Sequence, residues 1–139
     1  MHDTVAPLSA APSALLIAED KVYAAQLLQD WVTQEYPRCR ISHAANAADA
    51  RRVASVERPA VILVDIDMYD AKGFEILRVL RTDLPEVHLI ALSMFHADAY
   101  RDYAAGAGAE ACLSMAGVGS KLKDMIGALL ASSRGRAQT

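Results

Sequence analysis

Ala60-Val61-Ile62-Leu63-Val64-Asp65 decides how the rest of this chain is read. Five apolar residues in succession, three of them β-branched, run without a polar break and stop at an acid. A strand of that composition is buried on both faces, as strands of a parallel sheet are, whereas a half-solvated strand alternates. Asp65 then sits where the chain leaves the sheet.

Outward from this stretch the same alternation repeats. Ala14-Leu15-Leu16-Ile17-Ala18, ending at Glu19-Asp20, is another doubly buried run and makes the first strand. Val22, Ala25, Leu28 and Val32 follow at spacings of three and four, which predicts a helix with Asp20 as its N-cap and Pro37 closing it. Cys39 to Ala44 gives a weaker strand, and Asn46 caps a second helix carrying Ala50, Val53, Ala54 and Val56 up to Pro59. Beyond Asp65, Gly73 marks a loop, and Phe74, Leu77, Val79 and Leu80 lie on a third helix that stops before Pro85. Val87 to Leu92 reads as a fourth strand and Ala97 to Ala105 as a helix terminated by Gly106-Ala107-Gly108. Ala111-Cys112-Leu113 makes a last strand, and Lys121 to Leu130 a final helix with Leu122, Met125, Ile126, Leu129 and Leu130 apolar. Short strands alternating with helices predict an α/β fold of five β-α units, a parallel sheet with helices on both faces and strand order 2-1-3-4-5.

Composition bounds the function. The 139 residues, 53% of them hydrophobic and 22% charged, suffice for one compact domain. The expected organisation is a disordered tail over residues 1–13, the domain over 14–131, and a tail or linker start over 132–139. A net charge of −3 without a Lys/Arg run speaks against nucleic-acid binding by this chain alone. Cys39 and Cys112 lie far apart without a CxxC motif, so neither a disulfide framework nor a zinc site is expected, and a reducing, cytoplasmic setting fits. No window has the roughly 20 apolar residues of a membrane span, and no signal-peptide core follows the N-terminal tail.

In open α/β sheets ligands bind beyond the carboxyl ends of the strands, near the point where strand order reverses. Glu19 and Asp20 end the first strand there and Asp65 ends the third, so the order 2-1-3 brings three carboxylates together. Their mutual repulsion calls for a hard cation with oxygen ligands, and beside a phosphate that means Mg²⁺. The plainer reading of Asp20, taken alone, is a helix cap.

These residues resemble the receiver domains of two-component response regulators, over about Ala14 to Leu130. The likeness rests on Glu19-Asp20 after the first strand, on Asp65 with Gly73 eight residues on, and on Ser93 after the fourth strand (Ala91-Leu92-Ser93). It implies a flavodoxin-like (βα)5 fold and a phosphorelay function rather than an enzyme. Asp65 would take a phosphoryl group from a histidine kinase, a phosphotransfer protein or a small phosphodonor. Glu19, Asp20, Asp65 and the backbone carbonyl of Asp67 would hold Mg²⁺. Ser93 would hydrogen-bond the phosphoryl group and draw in the loop after the fourth strand, with readout on the face of helix four, strand five and helix five. A local loop cap is the plainer reading of Ser93.

Three positions depart from the family pattern. Met115 stands where a Lys is usual, Cys112 where an aromatic switch residue is usual, and Tyr69 where Pro is usual. Loss of the Lys would slow phosphoryl transfer by roughly tenfold to over a hundredfold, the worth of one charge-assisted hydrogen bond. Lys21 is a possible compensating cation, weighed against an ordinary solvated Lys at a helix start. A second function therefore stays open: a degenerate receiver acting as an interaction or dimerisation module without phosphate. A haloacid-dehalogenase-like phosphatase, taking Asp65-Ile66-Asp67 as its DxD, has the motif after the wrong strand. A nucleotide-binding flavodoxin relative would need a Gly/Ser/Thr-rich first loop in place of Glu-Asp. His43, His88 and His96 have no metal-ligand spacing. Trp31 reads as a packing residue, and Met94, Phe95, Tyr100, Tyr103 and Met115 as either a partner surface or a partly buried cluster.

Overall fold

The computed structural model describes residues 14–67, 73–94, 96–115 and 124–128. Five parallel strands, β1 (Ala14–Ala18), β2 (Arg40–Ala44), β3 (Val61–Asp65), β4 (His88–Ser93) and β5 (Ala111–Ser114), form one sheet in the order 2-1-3-4-5. The helices between them are α1 (Val22–Glu35), α2 (Ala47–Glu57), α3 (Gly73–Asp83) and α4 (Ala97–Gly106), with a further helical turn at residues 124–128. The expected fold is the observed one, and strand limits differ from the sequence reading by a residue at β2, β3, β4 and β5. The expected tails, Tyr69, Phe95, Lys121, Leu122, Leu129 and Leu130 lie outside the described residues.

Side-chain alternation along the central strands builds two cores. Leu16, Ala18, Ile62, Val64, Leu89 and Ala91 face α2, α3 and α4, while Leu15, Ile17, Val61, Leu63, Ile90 and Leu92 face α1 and Ile126. Both sets are fully or almost fully buried. Burial of such a side chain contributes about 1.5–3 kcal/mol, so the central strands anchor the acids that end them. On the first face the buried positions of α2 are Ala50 and Ala54, which lets that helix lie close to the sheet.

Local chemistry corrects several sequence expectations. The N-cap of α1 is Lys21, not Asp20, and it offers no side-chain cap; Glu19 Oε2 instead accepts from Lys21 N at 3.2 Å. Only Leu28 and Val32 of the expected apolar series on α1 are buried, and Val22 and Tyr23 lie in solvent at its first turn. Val56 on α2 is likewise exposed. Asn46 does cap α2, accepting from Asp49 N at 2.8 Å. Gly73 is not a loop residue but the buried first residue of α3. A Cβ there would overlap Ile66 Cα and fall 2.9 Å from Asp65 O, so only glycine lets α3 start against the end of β3.

At the amino ends of β4 and β5 the Arg81 guanidinium holds the chain together. It donates to Gly108 O at 2.9 and 3.1 Å, to Pro85 O and Val87 O at 2.8 Å, and to Leu84 O at 3.4 Å. Gly108 has φ +111°, a conformation that suits glycine and turns its carbonyl region toward Arg81 before β5 begins. Cys39 and Cys112 are both free thiols, Cys112 buried within β5.

Candidate functional site

The order 2-1-3 makes β1 and β3 neighbours in parallel register, Ala18 beside Val64, so the residues that follow them emerge together. Glu19, Asp20 and Asp65 each offer a carboxylate oxygen, and these oxygens lie within 4.8 Å of one another. Glu19 and Asp65 are each 4% exposed. Desolvation and the adjacent Asp65 carboxyl push the Glu19 pKa up to about 8. Glu19 Oε1 is buried and receives no hydrogen bond from a described residue. A cluster of hard oxygen donors, two of the three carboxylates buried, with a lone pair unmet among the described residues matches what Mg²⁺ takes from protein, one or two carboxylates with water completing the shell.

Lys21 lies in the middle of this cluster. Its Nζ is 3.4 Å from Asp65 Oδ2, 3.2 Å from Asp67 O, 3.6 Å from Asp20 Oδ1 and 3.9 Å from Glu19 Oε2. Burial works against its charge, but Asp65, Glu19 and Asp20 together hold the Lys21 pKa above the usual lysine range. The side chain is 44% exposed, so the ammonium reaches into the cluster from the solvent side. The four oxygens it meets belong to the same four residues that the sequence reading named as metal ligands.

The loop after β3 is tied to the loop after β4. Asp65 Oδ1 accepts from Asp67 N at 2.8 Å, which leaves Oδ2 toward Lys21. The Asp67 side chain turns the other way: its Oδ2 accepts from Ser93 Oγ at 2.9 Å and from Met94 N at 2.8 Å. Ser93, fully buried at the end of β4, also accepts from His96 N at 3.0 Å, so the hydroxyl does cap the turn that leads into α4. Its carbonyl accepts from Met115 N at 2.8 Å, joining the loop after β5 to the same node.

A cavity of about 580 Å³ opens over these groups. Glu19, Lys21, Asp65 and Asp67 line one wall, and Phe74, Met94, Tyr100 and Met115 supply an apolar one. Met115 thus faces the same space as Asp65 and brings no charge to it. Phe74 meets Tyr100 edge-on at 5.5 Å and Tyr103 at 6.3 Å, so part of the aromatic group is packed within the fold. Tyr103 and Met94 are nonetheless exposed. Trp31 packs edge-on to Tyr36 in the α1 core, away from the cavity. His43 and His88 take no part in the cluster, and His88 Nδ1 sits 2.6 Å from Glu110 Oε1.

The structure therefore brings Glu19, Asp20, Asp65, Ser93 and the Asp67 carbonyl to one end of the sheet. Sequence reasoning had used only the carbonyl of Asp67 and missed its carboxylate. The available signal was a second acid two residues after Asp65, opposite a hydroxyl at the end of the adjacent strand.

Comparison with known proteins places this geometry among relatives. Residues 15–126 match the family described as response regulator receiver domain. An uncharacterized response regulatory protein of Shewanella oneidensis is 30% identical over 91 residues, 64% of this chain but 39% of that protein. The chain thus spans well under half of that relative's length. Among solved structures, the signal receiver domain of a DNA-binding response regulator from Colwellia psychrerythraea superposes with a TM-score of 0.77 at 24% identity, covering 85% of this chain and 98% of that one. A response regulator of Thermotoga maritima in complex with Mg²⁺ and beryllofluoride gives a TM-score of 0.73 at 21% identity, covering 84% and 98%. No described helix is long and apolar enough to cross a membrane.

Proposed function

This chain belongs to the response regulator receiver domain family, and we propose that it is a phosphoryl-accepting member with Asp65 as its nucleophile. The observation that carries this reading is the carboxylate cluster of Glu19, Asp20 and Asp65, two of them buried, beside a cavity that Glu19, Asp65 and Asp67 line, with Ser93 hydrogen-bonded to the Asp67 carboxylate. An Asp65 carboxylate oxygen attacks phosphorus in line; the bond to the donor breaks, and the leaving group departs with its electron pair and takes a proton from solvent. Glu19, Asp20, Asp65 and the Asp67 carbonyl would hold Mg²⁺, which neutralises charge on the transferring group. Lys21 Nζ stands 3.4 Å from Asp65 Oδ2 and supplies positive charge to a cavity in which Met115 supplies none. Ser93 offers a hydroxyl to the phosphoryl oxygens once released from Asp67.

The phosphodonor is a histidine kinase, a phosphotransfer protein or a small phosphodonor such as an acyl phosphate, and the output partner, or a second copy of the chain, docks on the face of α4, β5 and the helix that follows. We place the receiver domain at residues 14–131. A second reading is favoured by the apolar wall at Met115: a degenerate receiver that binds its partner without phosphate. Incubation with acetyl phosphate and Mg²⁺, followed by intact mass, separates the two. A gain of one phosphoryl group that Asp65→Asn and EDTA both abolish supports the phosphoacceptor; unmodified mass in every condition leaves the degenerate reading.

A further inference from the structure

We propose that the Asp67 carboxylate is a built-in competitor for the phosphoryl group, holding the two donors, Ser93 Oγ–H and Met94 N–H, that an anion on Asp65 needs. Its Oδ2 takes both at once, at 2.9 and 2.8 Å. Asp67 N meanwhile donates to Asp65 Oδ1 at 2.8 Å, so the two acids share one short loop. Asp65, Asp67 and Met94 line one cavity, and a phosphoryl group formed on Asp65 therefore enters a space bordered by the carboxylate that holds both donors.

The chemistry of the contact is that of an oxyanion site. A hydroxyl and a backbone N–H converge on one negatively charged oxygen, as they would on a phosphoryl oxygen. The donors hold their positions because Ser93 is fully buried and its Oγ also accepts from His96 N at 3.0 Å. Asp67 acts as a positioning residue: it keeps the loop after β4 drawn toward β3 without any phosphate. An arriving dianion must displace it, and also meets its charge. Release of Asp67 and engagement of Ser93 are then one exchange.

This inference rests on the phosphoacceptor reading of Asp65. The test is calorimetric titration of beryllofluoride, a phosphoryl mimic, into the full chain with saturating Mg²⁺, comparing wild type with Asp67→Asn, Asp67→Ala and Asp65→Asn. Asp67→Asn removes the charge but keeps an acceptor oxygen, and Asp67→Ala removes both. Loss of a competing charge-assisted hydrogen bond corresponds to roughly tenfold or more in affinity. The expected order is wild type weakest, Asp67→Asn intermediate and Asp67→Ala at least tenfold tighter than wild type, with no binding to Asp65→Asn. Equal affinity of Asp67→Asn and Asp67→Ala would reduce the effect to charge and overturn the competition; equal affinity of all three would overturn it outright. Absence of binding to every protein, Asp67→Ala included, would instead overturn the phosphoacceptor reading and the inference with it. In the ligand-free protein, amide exchange at Met94 provides an independent reading. Asp67→Ala is expected to speed it about tenfold or more while Asp67→Asn changes it less, and identical rates in all three would overturn the contact itself.

Discussion

At the amino ends of β4 and β5 one guanidinium, Arg81, is met by four backbone carbonyls; at the carboxyl ends of β1 and β3 three carboxylates crowd around one ammonium. The first arrangement leaves every party supplied: donors find acceptors, and no carbonyl is stranded. The second leaves Glu19 Oε1 without a donor among the described residues and concentrates like charge. Satisfied charge stabilises, whereas a buried acid with an unmet lone pair is a standing demand for a cation or a proton. The difference separates the pole that holds the fold from the pole that is available for chemistry.

The contrast breaks most clearly at Arg81. Arg81→Ala strands several carbonyls and is expected to cost about 3–4 kcal/mol in urea unfolding. Arg81→Lys should recover less than half, because an ammonium cannot reach four carbonyls in the geometry of a planar fork. Metal affinity at the opposite pole should not change in either variant.

Gly73→Ala tests how closely the site depends on the fold beneath it. The added methyl has no room against Ile66, so α3 must shift, at about 1–3 kcal/mol. Unlike Arg81→Ala, this substitution should also reduce the phosphoryl adduct on Asp65 measured by intact mass.

The acidic pole should reveal itself through pH. Glu19 carries a pKa raised from 4.5 to about 8, so the folded state holds its proton more tightly than the unfolded chain does. The resulting stability is complete below pH 4.5 and is lost as pH rises through 8. Without divalent ions, wild type should lose up to about 1.4 kcal/mol per pH unit across that interval relative to Glu19→Gln. Parallel urea-midpoint profiles for the two proteins between pH 5 and 8 would remove the demand attributed to this pole.

The smallest expected effect sharpens the role of Lys21. If its ammonium partly meets the carboxylates, Lys21→Ala should bind Mg²⁺ about tenfold more tightly, since a tethered cation no longer competes, while phosphoryl transfer slows. About 1.4 kcal/mol corresponds to that change. Unaltered Mg²⁺ affinity by calorimetry would place Lys21 in solvent, as an ordinary lysine at a helix start.

How far the sequence carried depended on the range of the interaction. The apolar runs at Leu15–Ile17 and Val61–Val64 are self-declaring, because burial on both faces leaves no polar alternation and marks both strands as interior to the sheet, as the expected and observed order 2-1-3-4-5 has them. Gathering of Glu19, Asp20 and Asp65 followed in turn from that order. Less legible were contacts in which two roles compete for one residue. Asp20 is a good cap by type, yet the N-cap of α1 is the next residue, Lys21, and Glu19 bonds that residue's N–H. Gly73 looked like a loop because glycine is a helix breaker, while the reason for it is the backbone of Ile66 pressed against the start of α3. Asp67 was valued for its carbonyl, and the partner of its side chain lies 26 residues away on another strand. Periodicity cannot report a pairing of that kind.

Arg81 also joins segments near and far along the chain. Its bonds to Pro85 and Val87 span four and six residues, but those to Gly108 span 27. Closing a loop of that length costs more chain entropy than closing a turn, so the local bonds can form while the chain is still collapsing. The Gly108 bonds carry the larger closure cost, which Arg81 meets by joining the turn before β4 to the residue that leads into β5.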